Sequence, residues 1–462
     1  MPLTDLTTPP AAAAEAAALL DRLDQSFSGG FARLHGEHLD ALASLGRAFS
    51  GTPLAGALGE ALEGISRSEF LDRHFLVLAA ARAALQGAQH DALAAQAAGA
   101  LGRAVAKPEE IPASAVQAVP PQIEVWLESV RHWLMELGLA GFANLDVNTL
   151  LPFQATLDQV ESEPRLGRHA ALLGGFLDEL LTVFPARGTP EFPLFRWADL
   201  WSRAMVLSAR APAPAHTYTV SGELRILGAD LRQHETFATL VAFGSLREKG
   251  KPARLVRATI SAFKVDVIQG EELGPLLADA GATLLDGLAQ SKALQLSDMA
   301  LTATGDLLWS DKAAKLGAAF DPLAEAAEVL KAAPAARPSL AAADRHPALL
   351  EELVYLAGYK VGGKEEALTI TVDGATLPLD HDRFPETDDL ALIEVKACSE
   401  MVALLRFDAD RWTLQPLLVG GGAKKKPKFI GASLGGGKGK KSKLGALSTL
   451  KERSSKLLRK KS

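Results

Sequence analysis

The chain is predicted to be an α+β protein: a helical N-terminal half, an α+β half containing antiparallel sheet, and a disordered basic C-terminal tail. Three observations predict this. Apolar residues recur at helical spacings between residues 11 and 210. At Thr217 the period changes to two, with Tyr218, Val220, Leu224 and Ile226 alternating with Thr217, Thr219, Ser221, Glu223 and Arg225. From Gly420 onward glycine and lysine dominate, a composition that buries too little apolar surface to offset its ordering entropy.

Taken in order, residues 1–10 are Thr/Pro-rich and are expected to be disordered, and residues 11–106 read as a helical domain. Ala16–Leu20, Leu39-Ala43-Leu45 and Phe70–Leu78 supply its apolar faces, and Gly29-Gly30 and Gly51-Thr52-Pro53 break it. Residues 107–121, with four prolines, read as a linker. A second helical segment, 122–210, carries Ile123, Val125, Trp126, Val130, Trp133, Leu134 and Leu137 as one apolar face, then Leu150–Val160, His169–Val183 and Arg196–Leu207.

Residues 211–332 read as an antiparallel α+β domain. Its strands are Thr217–Leu227, Thr236–Ser245 and Ala253–Ile268, with Gly228-Ala229-Asp230 as a turn. A helix at Leu273–Gln290, a hairpin at Leu294–Trp309 and a helix at Asp321–Ala333 follow. Residues 333–419 read as a second α+β segment opening on a linker at Ala333–Pro338. Its predicted elements are a helix at His346–Lys360, a hairpin of Glu366–Val372 and Ala375–Leu379 around Asp373-Gly374, and strands at Leu390–Lys396, Met401–Phe407 and Arg411–Val419. No internal repeat is apparent.

Composition bounds the function. The 462 residues are 48% hydrophobic and 23% charged, as in folded soluble proteins, and the length suits two or three domains. A single cysteine, Cys398, excludes an intramolecular disulfide and any multi-cysteine metal site. Met1–Asp5 does not read as a secretory signal, and no apolar run reaches the roughly 18 residues that span a membrane. A cytoplasmic protein is the expectation.

The net charge of −6 hides a segregation: residues 420–462 carry 14 Lys+Arg against Glu452, or +13, which leaves −19 on the rest. Lys424, Lys425, Lys426, Lys428, Lys438, Lys440, Lys441 and Lys443 form the clusters, and the leucines from Leu444 to Leu458 recur as in a basic amphipathic helix. Such a tail suits nucleic-acid phosphate, an anionic membrane or an acidic protein surface.

Motifs for chemistry are few. His35-Gly36-Glu37-His38 offers two histidines three apart, but lacks a third ligand, and a solvated helix end accounts for it. Asp380-His381-Asp382, with Glu386, Asp388 and Asp389 nearby, is the densest oxygen and imidazole cluster, suited to a divalent cation or proton transfer; an exposed acidic loop is the simpler reading. Gly435–Ser442 has the wrong spacing for a phosphate-binding loop, and no nucleophile elbow occurs. No cofactor motif is present. Trp197 and Trp201, four apart, share a helix face, which either packs between the helices and the sheet or meets a partner; Asp199, near Arg196 and Arg203, reads as a structural ion pair.

Arg196-Trp197-Ala198-Asp199-Leu200-Trp201-Ser202-Arg203-Ala204, followed by a β-rich half ending in Arg411-Trp412-Thr413-Leu414-Gln415-Pro416-Leu417, resembles bacterial accessory proteins encoded beside MoxR-type AAA ATPases and von Willebrand factor A proteins. The resemblance carries no catalytic residue and implies protein partners, an AAA ATPase system among them. Three functions follow: a non-enzymatic accessory or scaffold protein, a nucleic-acid-binding protein acting through the tail, and a hydrolase-like enzyme with a site near His381.

Overall fold

Pro9-Pro10 and Pro120-Pro121 each stand ahead of a run of strong helix formers, and each starts a helix in the computed structural model. The structure describes residues 3–104, 120–183, 192–210, 217–234, 236–264, 272–331, 350–364, 367–380, 382–383, 391–408, 410–421 and 430–431. The chain is α+β, with its helices first and its sheets after them. Both linker expectations fall largely outside the described residues.

Nine helices lead the described residues: α1 (Ala11–Gly29), α2 (Gly36–Ala48), α3 (Ala55–Ser66), α4 (Asp72–Leu101), α5 (Pro121–Ala140), α6 (Val147–Leu150), α7 (Gln154–Ser162), α8 (Gly167–Val183) and α9 (Leu194–Ser208). They contain a repeat that the sequence reading does not find. Gly30-Phe31-Ala32-Arg33-Leu34 after α1 matches Gly141-Phe142-Ala143-Asn144-Leu145 after α5, and the Pro-Pro pairs stand at the same offset. In both copies the glycine has positive φ and a 3-10 turn follows. The copies meet reciprocally. A Cβ on Gly30 would lie 2.4 Å from the Leu139 carbonyl oxygen, and one on Gly141 would lie 2.3 Å from the Gly30 nitrogen. Only glycine permits that backbone approach.

One apolar core fills these helices, with Phe27, Phe75, Leu134, Phe142, Trp197 and Trp201 at its centre. Trp201 Nε1 donates to the Leu134 carbonyl at 2.6 Å, and Trp197 stands 5.2 Å from Phe192 and 5.7 Å from Phe142, centroid to centroid. Both tryptophans are therefore buried inside the helical core. The expected position between helices and sheet is incorrect, because the two halves of the repeat pack around α9.

The next six strands are β1 (Thr217–Gln233), β2 (Phe237–Arg247), β3 (Arg254–Phe263), β4 (Lys292–Thr302), β5 (Asp306–Leu308) and β6 (Ala314–Ala319), with α10 (Leu273–Gln290) before β4 and α11 (Pro322–Lys331) after β6. β1, β2 and β3 pair antiparallel as predicted. The sheet then closes: β3 pairs parallel with β5, β5 with β4, and β4 with β1, and β6 pairs with β4 along the same edge as β5, nearer the start of β4. Val220, Leu224 and Ile226 enter the core of this small barrel with Leu277, Leu284 and Leu285 of α10.

Gly228–Asp230 is no turn. The strand runs through it with a bulge between Ile226 and Gly228. The extra residue, Leu227, faces outward while Ala229 and Leu231 return to the barrel core. The bulge therefore leaves Asp230 on the outer face.

The central sheet has the order β13 (Ile430–Gly431), β12 (Arg411–Gly420), β11 (Glu400–Asp408), β7 (Glu351–Ala357), and a small sheet holds β10 (Ala375–Pro378), β9 (Ala367–Val372) and β8 (Lys360–Lys364). One face of the central sheet packs Leu353, Tyr355, Val402, Leu404 and Leu417 on α11 and the outer barrel wall. The other packs Val354, Leu356, Met401, Trp412 and Leu414 on the small sheet, Leu3, Leu6, and Leu93, Ala97 and Leu101 of α4. Helix α4 thus serves two cores.

Four further expectations need correction. Residues 351–357 form β7 where a helix is predicted, because Leu353–Leu356 are buried on both faces and show no alternation. Leu392–Ala397 form helix α12 where a strand is predicted, with Val395 as its buried residue. Leu3–Thr7 form a 3-10 turn with Leu3 and Leu6 buried, so the N-terminal segment is ordered in the structure. Ile430–Gly431 pair with Leu418 and Val419, so the strand pattern does not end at Val419.

Candidate functional site

The hairpin of β9 and β10 is set by Asp373-Gly374, both at positive φ, and its outgoing end runs onto the edge of β12. Leu379 bridges to Leu414, and the Asp380 amide donates to the Leu414 carbonyl at 2.9 Å. This attachment opens a cleft of about 480 Å³ between the small sheet and the β11–β12 hairpin. Ala367, Leu368, Pro378 and Leu379 supply apolar wall, and Thr369, Asp380, Asp382, Arg383, Asp408, Arg411 and Thr413 supply polar groups. A cleft of this size, in which polar groups converge beside an apolar wall, has the form of a ligand or side-chain site.

Arg383 ties the cleft together. Its Nε lies 2.9 Å from Asp380 Oδ2 and its Nη2 lies 2.6 Å from Asp408 Oδ2. Burial raises the Asp380 carboxyl above its ordinary value; Arg383 and Arg406 oppose this, while Asp408 and Asp382 add to it.

Behind the cleft lies a buried row. Thr413 of β12, Arg406 of β11 and Glu351 of β7 are register partners on the barrel-facing side of the central sheet, and Gln415 stands two residues along. Gln415 Nε2 donates to Asp230 Oδ1 at 2.8 Å and to the Arg383 carbonyl at 3.2 Å. Arg406 Nη2 holds Asp230 Oδ2 at 2.7 Å, and Arg232 Nε reaches the same oxygen at 2.7 Å. Glu351 Oε2 receives Arg232 at 3.2 Å and Arg406 at 3.3 Å. A polar chain therefore runs from Asp408 through Arg383, Gln415, Asp230 and Arg406 to Glu351. Burial works against the Asp230 charge, but Arg406, Arg232 and Gln415 outweigh it and hold its carboxyl below the usual range.

The chain matches no protein-family model, and no characterised protein matches its sequence significantly.

Of the predicted site residues, Asp380 and Asp382 line the cleft, whereas His381 lies outside the described residues. Lys424, Lys425, Lys426, Lys428, Lys438, Lys440, Lys441 and Lys443 also lie outside them. Trp197 and Trp201 belong to the helical core. Asp199 does bind Arg203, at 2.7 Å, but its second arginine is Arg82 of α4 at 3.7 Å, because Arg196 turns away to Glu179. His35 stands exposed just before α2 without a side-chain capping bond, and among the described residues no group of three or more His, Cys, Asp or Glu could hold a metal ion. Sequence reading misses Arg383, Asp408, Arg411 and Thr413 as cleft residues, and Asp230, Glu351, Arg406 and Gln415 behind them. The available signal was a charge or amide inside an apolar strand, as at Arg406 and Gln415.

Proposed function

We propose that this protein is a non-enzymatic accessory protein that engages a protein partner through the cleft at Asp380, Arg383 and Asp408. The observation that supports this reading is the junction itself. A cavity with apolar walls and converging charges lies where the small sheet joins the central sheet, and Gln415 links its inner wall to the barrel. A rigid scaffold presenting such a cavity suits recognition of a protruding charged side chain. The resemblance of residues 196–204 and 411–417 to accessory proteins makes a MoxR-type ATPase system the first partner to try.

The test is site-specific photo-crosslinking in the source cell. A photoreactive residue at Thr369, on the cleft wall, should give a discrete adduct with one partner, and Asp380→Asn with Asp408→Asn should abolish it while the protein stays folded. The same residue at Lys315, on β6 and outside the cleft lining, should give none. Equal adducts from both positions, or none from Thr369, would overturn the reading.

A second reading draws on Asp380. A half-buried carboxyl pushed upward inside a cleft is suited to general acid chemistry, and the hydrolase alternative would use it. Turnover of an ester or phosphoester panel that Asp380→Asn abolishes would favour that alternative.

A further inference from the structure

Resting on the reading of the cleft as a partner site, we infer that the groove between α4 and the small sheet is a docking site for a short segment with two leucines three apart. Residues 3–8 of the chain fill it, and this filling holds the cleft in its binding shape.

Leu3–Thr7 makes a 3-10 turn, whose period of three puts Leu3 and Leu6 on one side. Leu3 is 2% exposed and Leu6 1%, while Thr4, Asp5, Thr7 and Thr8 are exposed. This strap lies against α4, β10 and β12. Gln96 of α4 fixes it. Its Nε2 donates to the Asp5 carbonyl at 2.6 Å and to the Thr8 carbonyl at 2.7 Å, and its Oε1 accepts from Trp412 Nε1 at 2.8 Å. One amide therefore ties the strap backbone to β12.

The strap and the cleft share a wall. Leu368 and Leu379 line the cleft, and both belong to the apolar core that Leu3 and Leu6 complete. Trp412 stands between Arg411 and Thr413, which line the cleft as well. Taking Leu3 and Leu6 away would leave an apolar hollow beside β10. The small sheet is joined to the central sheet at Leu414, through the Leu379 bridge and the Asp380 amide, and that junction would lose its backing.

The attachment is of an exchangeable kind. Among the described residues, two buried leucines and the Gln96 amide hold the strap, and it joins α1 through Pro9-Pro10, with Pro10 extended at φ −57° and ψ 137°. A segment so short, held by so few groups, opens without global unfolding. Filling of the groove and shape of the cleft are then coupled in both directions.

The experiment compares amide hydrogen exchange in the full chain and in Leu3→Ser with Leu6→Ser; Leu6→Ala makes the same comparison with a milder loss. The Leu379 and Asp380 amides, bonded to the Leu368 and Leu414 carbonyls, should exchange about tenfold faster in the double variant, while β2 and β3 keep their rates. A peptide of residues 1–10 should restore slow exchange, and the same peptide with serine at both leucines should not. This rescue separates docking from damage to the fold. Unchanged exchange at Leu379 and Asp380, an equal rise in β2 and β3 in both variants, or no rescue by the native peptide would overturn the inference. The Thr369 adduct should fall in the double variant, and an undiminished adduct would sink the link to the cleft. Faster, peptide-rescued exchange with no Thr369 adduct in the wild type would keep the docking site and sink only the partner reading.

Discussion

Gly228 of β1 lies directly against Leu417 of β12: a Cβ built on Gly228 would stand 2.7 Å from the Leu417 Cβ. The two residues sit at register breaks in their own strands, so two bulges meet at the seam between barrel and central sheet. Gly228→Ala should push the seam apart and cost about 1–3 kcal/mol. Urea denaturation should show an earlier midpoint, and an unchanged midpoint would mean that Leu417 can move aside freely.

Arg82 makes a similar demand inside the helices. It is fully buried, donates to both Asp24 oxygens at 2.7 and 2.6 Å, and faces Asp199 at 3.7 Å. Arg82→Met should destabilise by about 3–5 kcal/mol, because Asp24 would stay buried without its counter-charge. Combining it with Asp24→Leu should recover much of that loss. No recovery in a denaturant titration would show that Asp199 also depends on Arg82.

Asp230 in the polar chain and Asp380 in the cleft should respond to pH in opposite senses. Asp230 has a folded value below its ordinary 3.8, so its stabilisation is present above that ordinary value and is lost as pH falls through the folded one. Asp230→Asn should lower stability at neutral pH and flatten the loss in acid. Asp380 has a folded value above 3.8, so its contribution is present below 3.8 and is lost as pH rises through the folded value. Asp380→Asn should remove that dependence and leave neutral-pH stability equal or slightly higher. Thermal melts from acid to neutral pH check both signs, and parallel curves for wild type and either variant would refute its assignment.

The basic tail supports a different experiment. Truncation after Gly431 keeps β13 and should leave the melting transition of the body nearly unchanged, whereas truncation after Val419 removes that strand from the edge of β12 and should lower it. Any nucleic-acid affinity should reside in the tail, since residues 420–462 carry +13 and the rest −19. Anisotropy titrations with duplex DNA and single-stranded RNA should then show binding that weakens steeply with salt and is lost on replacing Lys438, Lys440 and Lys441 together with Lys424, Lys425 and Lys426 by glutamine. Absence of binding at low salt would end the nucleic-acid alternative.

Much of the cleft was legible only in part. Asp380 and Asp382 stand out as a local cluster, but Asp408, Arg411 and Thr413 reach them from another hairpin, and no short window of sequence joins the two. Asp230 was hidden more thoroughly, because a bulge at Leu227 turns it outward and a simple period-2 count cannot anticipate the extra residue.

The sequence by itself determined the helical first half, the strands β1 to β3 with their inward Val220, Leu224 and Ile226, helix α10, and the β9–β10 turn at Asp373-Gly374. Each rests on a local signal, either a period or a turn residue with an obligatory conformation. Tertiary structure alone decided barrel closure through β1 and β4, the strand identity of Glu351–Ala357, the meeting of Gly30 with Gly141, and the arrival of Asp408 beside Arg383. Those features depend on pairings between distant segments, where burial on both faces erases the alternation that local reading requires and only the assembled neighbours fix which side chain faces which.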